Sequence, residues 1–120
     1  MMDFSVDLEQ VDDDGQTPMH WAAKANSDGA LRVLHANGGN LEARDREGRS
    51  PFHMASFMGR DLCMVTLLEL GANIEARTLV DETPLHQAAS GEQPISVHCL
   101  AELKAHHLYI TLTTNPNHQH

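Results

Sequence analysis

Apolar residues fall in short runs at the spacing of one helix face, with polar turns between them. Leu31, Val33 and Leu34, then Met64, Leu67 and Leu68, then Val97 and Leu100 recur at helical intervals. They predict helices over 28–37, 61–70 and 94–104. A run of small residues precedes each: Ala22-Ala23, Ala55-Ser56 and Ala88-Ala89. Small side chains let a neighbouring helix approach closely, and short helices over 17–25, 50–58 and 83–90 are expected around them. Asn26, Gly59 and Gly91 occupy the turns between the helices of each pair, where a left-handed backbone is tolerated. Asp28 and Asp61 are placed to cap the second helices, and Pro94 to open the third of them. Gly38-Gly39 and Gly71-Ala72 stop the first two.

The pattern is periodic. Thr17-Pro18-Met19-His20, Ser50-Pro51-Phe52-His53 and Thr83-Pro84-Leu85-His86 start 33 residues apart. Leu8-Glu9, Leu41-Glu42 and Ile74-Glu75 keep the same step. Two markers in one register, three times over, establish a repeat. In each copy the hydroxyl of Thr17, Ser50 or Thr83 is placed to accept a hydrogen bond from an orphan N–H of the helix start. The proline takes the first helical position, where its missing donor costs nothing. His20, His53 and His86 stand where a capping box carries Glu or Gln.

The chain resembles the ankyrin repeat family in its period, its T/S-P-x-H-x-A-A/S run, its mid-repeat turn, its G-G/A stop and its N-L/I-E-A-R link. The resemblance covers about residues 8–103. It implies an all-α ankyrin-repeat solenoid of helix-turn-helix units with β-hairpin links, about three repeats, the last degenerate. The divisions expected are an N-terminal extension (1–7), the end of a preceding partial repeat (8–15), repeats at 16–48 and 49–81, and an incomplete third at 82–104. Asp81 replaces the glycine that precedes the motif, and Lys104-Ala105 replaces the closing Gly-Ala. Residues 105–120 diverge, with β-prone Tyr109 to Thr114, and are expected to form a flexible tail. Neither end shows a clear polar cap, which predicts a piece of a longer array.

Composition narrows the partner. A net charge of −9 with only 8 Lys and Arg opposes nucleic acid and anionic membrane as partners. No apolar stretch reaches the ~20 residues of a membrane span. The acidic start, Met1 to Glu9, is unlike a secretory signal. Cys63 and Cys99 form no C-x-x-C pair. A reducing compartment, cytoplasm or nucleus, is expected.

Neither catalysis nor a cofactor is expected, nor a small-molecule substrate. The sequence has no G-x-S-x-G, Walker loop or dinucleotide fingerprint. His20, His53 and His86 lie a repeat apart, too far to share a metal with bonds of ~2 Å. The alternative to a protein-binding module is zinc held by the histidine-rich C-terminal region, from His98, Cys99, His106 and His107.

The family resemblance implies an interaction module or scaffold whose partner meets hairpin tips and the exposed face of the first helices. By position the tips supply Asp13 and Asp14, then Arg46, Glu47 and Arg49, then Leu79, Val80 and Glu82. The helix face supplies Trp21, Met54, Phe57 and Met58. Large apolar groups facing outward form a surface that a soluble protein rarely leaves uncovered, and Trp, Phe and Met are enriched in interface cores.

Overall fold

A computed structural model describes the backbone of residues 7–114 and the side chains of 7–105. Among the described residues the elements run α1 (Pro18–Lys24), α2 (Asp28–Ala36), α3 (Pro51–Phe57), α4 (Asp61–Leu70), α5 (Pro84–Ser90) and α6 (Pro94–Thr114). Each odd helix packs against the even helix that follows it, and α1, α3 and α5 lie side by side. α2 packs on α4 in the second layer, and Ser96 of α6 donates to Asp61 of α4. This is the solenoid that the 33-residue step predicts.

Thr17, Ser50 and Thr83 take extended backbone conformations, and each side chain accepts from the N–H three residues on. The histidine ring returns the bond. His20 Nδ1 accepts the Thr17 N–H at 3.1 Å, as His53 does from Ser50 and His86 from Thr83. With Nδ1 accepting, the ring proton sits on Nε2. His20 Nε2 donates to the Arg49 carbonyl at 2.7 Å and His53 Nε2 to the Glu82 carbonyl at 2.9 Å. Each histidine thus closes its own helix start and ties it to the next repeat. His86 closes the third cap but is exposed.

The core runs between the layers. Met19, Leu31, Phe52, Cys63, Met64, Leu67 and Leu100 are buried in one cluster with Ala22, Ala23, Ala55 and Ala88. Burying a side chain such as Phe52 contributes roughly 2–3 kcal/mol. Val33, expected inside, faces outward.

Four further details differ from the sequence reading. Asp28 and Asp61 are not caps: Ser27 and Arg60 hold those positions without side-chain bonds, and each aspartate is the first helical residue. There it still offsets the partial positive charge of the helix start. The links contain no strand among the described residues. Each is a hairpin turn closed by two backbone bonds: Asp12 N–H to Gln16 O and Gly15 N–H to Asp12 O at the first, with Asp45–Arg49 and Gly48–Asp45, then Thr78–Glu82 and Asp81–Thr78, repeating them.

The left-handed residue of the third mid-repeat turn is Glu92, not Gly91; Glu92 has φ 56°, beside Asn26 at 56° and Gly59 at 70°. Finally, the stretch assigned to a β-prone tail continues α6 as helix to Thr114. Adding a residue to an existing helix is far easier than nucleating one, and the next proline after Pro94 is Pro116. β-Propensity is weak beside that, being largely a statement about packing on a sheet. Residues 115–120 of the expected tail lie outside the described residues.

Gly15 and Gly48 both have φ 78°, and a Cβ on Gly48 would come within 2.7 Å of the Leu79 backbone nitrogen. Asp81 takes the same conformation, φ 66°, at the third tip. Glu92 and Asp81 therefore carry a backbone cost that glycine lacks. Glu92→Gly and Asp81→Gly are each expected to raise stability by about 0.5–1 kcal/mol, the relief being partly offset by the freer unfolded chain. Urea denaturation checks this; a lower midpoint in both variants would refute it.

Candidate partner-binding surface

The hairpin tips are shaped by residues that the repeat markers do not include. Asp12 Oδ1 accepts the N–H groups of Asp14 and Gln16, each at 2.9 Å. Asp45 Oδ1 does the same for Glu47 and Arg49, and Thr78 Oγ1 for Val80 and Glu82. A short side chain folding its own backbone into a turn is the mechanism by which Asp and Thr favour such positions. The signal was legible as D-x-x-G-x at 12–16 and 45–49. Asn40 and Asn73 act likewise on Glu42 and Glu75, as Asp7 does on Glu9.

Successive tips are joined by backbone. Arg46 N–H donates to Asp14 O and Leu79 N–H to Glu47 O, at 3.0 and 3.1 Å. Glu9 accepts from Asn40 N–H and Glu42 from Asn73 N–H. Arg44 bonds both Gly48 O and Arg77 O. The tips therefore form a continuous, stiff edge.

The structure brings six of the candidate residues together. Arg46, Glu47, Arg49, Leu79, Val80 and Glu82 line a cleft of about 210 Å³ between the second and third tips, with Thr78 and Gln87. Leu79 is 77% exposed and Val80 74%. Asp13 and Asp14 are exposed at the first tip, and Trp21, 52% exposed, adjoins it through its Nε1 bond to Asp12. Lys24 lies over the Trp21 ring, 3.9 Å from its centroid, and donates to Gln16.

Met54 does not belong to the surface. It is 5% exposed, with Gln16 reaching its sulfur. Trp21, Met54 and Gln87 share one position in the repeat; Gln87 is buried too, at 7%, and of the three only Trp21 stays open. Phe57, 38% exposed, ends α3, roughly 10 Å along the helix from its cap. Phe57 and the half-buried Met58 thus stand at the other end of the first-helix face from the cleft.

Charge along the edge is sorted. Arg49 Nε meets Asp45 at 2.9 Å and Glu47 at 3.8 Å. Arg77 pairs with Asp81, and Gln87 donates to Glu82. Asp12 is held below the usual carboxylate range by the Gln16 N–H first, with help from Trp21, Asp14 and the nearby Lys24 charge. Burial acts to raise Asp45, but the Arg49 N–H and guanidinium and the Glu47 N–H outweigh it and hold it low. Asp13 and Asp14 have no ion pair among the described residues.

The two cysteines are not placed for covalent chemistry. Burial pushes the Cys63 thiol up to about 11, and also raises Cys99, where the carboxylates of Asp61 and Glu102 add to it. Reactive cysteines need the opposite environment. Among the described residues no group of three or more His, Cys, Asp or Glu is placed to hold a metal, and His98 contacts Glu102. The side chains of His106 and His107, on which the zinc alternative depended, lie outside the described residues. No helix among them is long and apolar enough to cross a membrane.

A family model described as ankyrin repeats (3 copies) matches residues 1–78, well over half of the chain. The match ends before α5, whose capping box nevertheless repeats those of α1 and α3. Comparison with curated proteins finds no match.

Proposed function

We propose that this chain, which belongs to the ankyrin repeat family, is a non-catalytic docking module that holds a segment of another protein along its hairpin tips and first-helix face. One observation carries the reading: two aliphatic residues, Leu79 and Val80, stand about three-quarters exposed on a stiff loop and line a cleft with charged residues at its rim. Apolar groups held rigidly in water at a concave site are what an interface anchor needs, because little ordering entropy remains to be lost on binding. Asp13, Asp14 and Trp21 extend the surface at the first tip, and Phe57 and Met58 belong to it at the far end of the first-helix face. A scaffold or adaptor in the cytoplasm is the setting that suits the two unpaired cysteines.

The test is affinity capture with the chain beside two variants, Leu79→Ser/Val80→Ser and Phe57→Ala. The partner taken by the wild type should be lost from the first, and Phe57→Ala should weaken it by roughly 1–3 kcal/mol. Both variants touch exposed side chains, and a thermal melt confirms that each is folded. Unchanged retention by both would place the binding face elsewhere.

A further inference from the structure

We propose that the partner segment is extended and bipartite: an aliphatic side chain enters the cleft, and one or two Lys or Arg lie four or five residues away, against the first tip. This rests on the docking reading above and specifies its ligand.

The cleft sets the first half. At about 210 Å³ it is smaller than the ~300–1,000 Å³ of small-molecule sites, but it has room for an aliphatic group. Leu79 and Val80 line it together with Arg46 and Arg49, and long basic side chains can offer apolar stems while their heads reach water. Most of the charges lining it are already engaged; Arg46 is the exception, exposed and with no ion pair among the described residues. Arg49 is held between Asp45 and Glu47, and Glu82 by Gln87. An entering apolar group therefore meets no charge whose partner it must displace.

The electrostatics of the edge set the second half. Asp45, Glu47, Asp81 and Glu82 each have a partner, whereas Asp13 and Asp14 point two unpaired carboxylates into water. Lys24, the cation of α1, is committed to Gln16 and to the Trp21 face. The edge is thus negative at its first tip and apolar at its third, on a chain of net charge −9. A basic group on the partner is complementary to the first tip and unsuited to the third.

Geometry fixes the spacing. Neighbouring repeats stack at roughly 10 Å, the distance of packed helices. The first tip is about one and a half repeats from the cleft, roughly 15 Å. An extended chain advances ~3.3 Å per residue, which gives four to five residues.

Fluorescence anisotropy of the full chain with labelled twelve-residue peptides tests this. Each peptide carries one Leu in a Gly/Ser background and an Arg pair placed one to eight positions from it. Affinity should peak at a separation of four to five, about three- to fivefold above a separation of one, the scale of exposed ion pairs. Asp13→Asn/Asp14→Asn should abolish that preference, and 0.5 M salt should flatten it. Leu79→Ser/Val80→Ser should weaken every peptide. Peptides that bind through Leu79 and Val80 with no spacing preference would overturn the bipartite ligand and leave the docking reading standing. No peptide binding at all, in a chain whose sedimentation shows dimers lost on Leu79→Ser, would assign the cleft to a second copy and overturn the proposal.

Discussion

A chain carrying Gly91→Ala is expected to lose about 3 kcal/mol or more of stability, the upper end of what a single added methyl costs. A Cβ on Gly91 would fall on the carbonyl oxygen of Phe57, with the Phe57 carbonyl carbon at 3.0 Å and Gln87 O at 3.3 Å. All three atoms are backbone, so no side chain can rotate away. The Phe57 carbonyl also accepts the Gln93 Nε2 donor at 3.2 Å, and forcing it aside breaks that bond as well. Relief requires α5 to move off α3 at their C-terminal ends, which opens the packing of Ala88 and Ala55, both fully buried. Stability in a stack is the sum of repeats and their interfaces, so the loss should concentrate in repeat 3. Hydrogen exchange over α5 and the start of α6 should accelerate far more than over α1 and α2, and the urea midpoint should fall. An unchanged midpoint would mean that the α3–α5 contact does not hold Gly91 against the Phe57 carbonyl.

That constraint shows where reading the sequence stops. Ala25 and Met58 hold the same repeat position as Gly91 and carry side chains without difficulty. The glycine is demanded by one interface, not by the repeat. What was legible is local: a hydroxyl, a proline and a histidine within four residues set a capping box by short-range chemistry alone, and the 33-residue step then orders the boxes. What was not legible depends on neighbours. Met54 reads as an outward position by its place in the repeat, but the preceding tip covers it, with Gln16 reaching its sulfur. Asp28 and Asp61 read as caps because they are good ones, but the helix begins one residue earlier. Leu79 and Val80 were legible as exposed apolar residues, since nothing at a hairpin tip would bury them; that they share a cleft with Arg46, Arg49 and Glu82 follows from the bond between Leu79 N–H and Glu47 O. The end of α6 was misjudged because local β-propensity was weighed against a helix already under way.

Acidification from pH 7.5 to 5.5 should destabilise the fold through His20 and His53. Burial is the main force holding both rings below the ordinary histidine value; it acts against the bonds to the Arg49 and Glu82 carbonyls, which favour the charged form. Other neighbours contribute less: Asp45 and Asp12 against Arg49 at His20, and the Ala76 backbone and Asp45 against Arg44 at His53. An unfolded histidine titrates near 6.5. Between that value and the lower folded one, the unfolded chain takes up a proton that the folded chain refuses. Stability therefore falls with pH below ~6.5, by at most about 1.4 kcal/mol per pH unit for each ring. The structural cause is specific: Nδ1 already accepts a backbone N–H, and a proton there would set two donors against each other. Asp45 acts lower. Its carboxyl lies below the usual range, so its contribution holds above ~3.9 and is lost only as pH falls through the folded value. The decisive comparison is the double variant His20→Gln/His53→Gln. Glutamine offers an acceptor and a donor at the position that a capping box gives it, but it does not titrate. Its urea midpoint should change far less between pH 7.5 and 5.5 than that of the wild type. If both chains lose stability equally over that interval, the two rings are not the groups that refuse the proton.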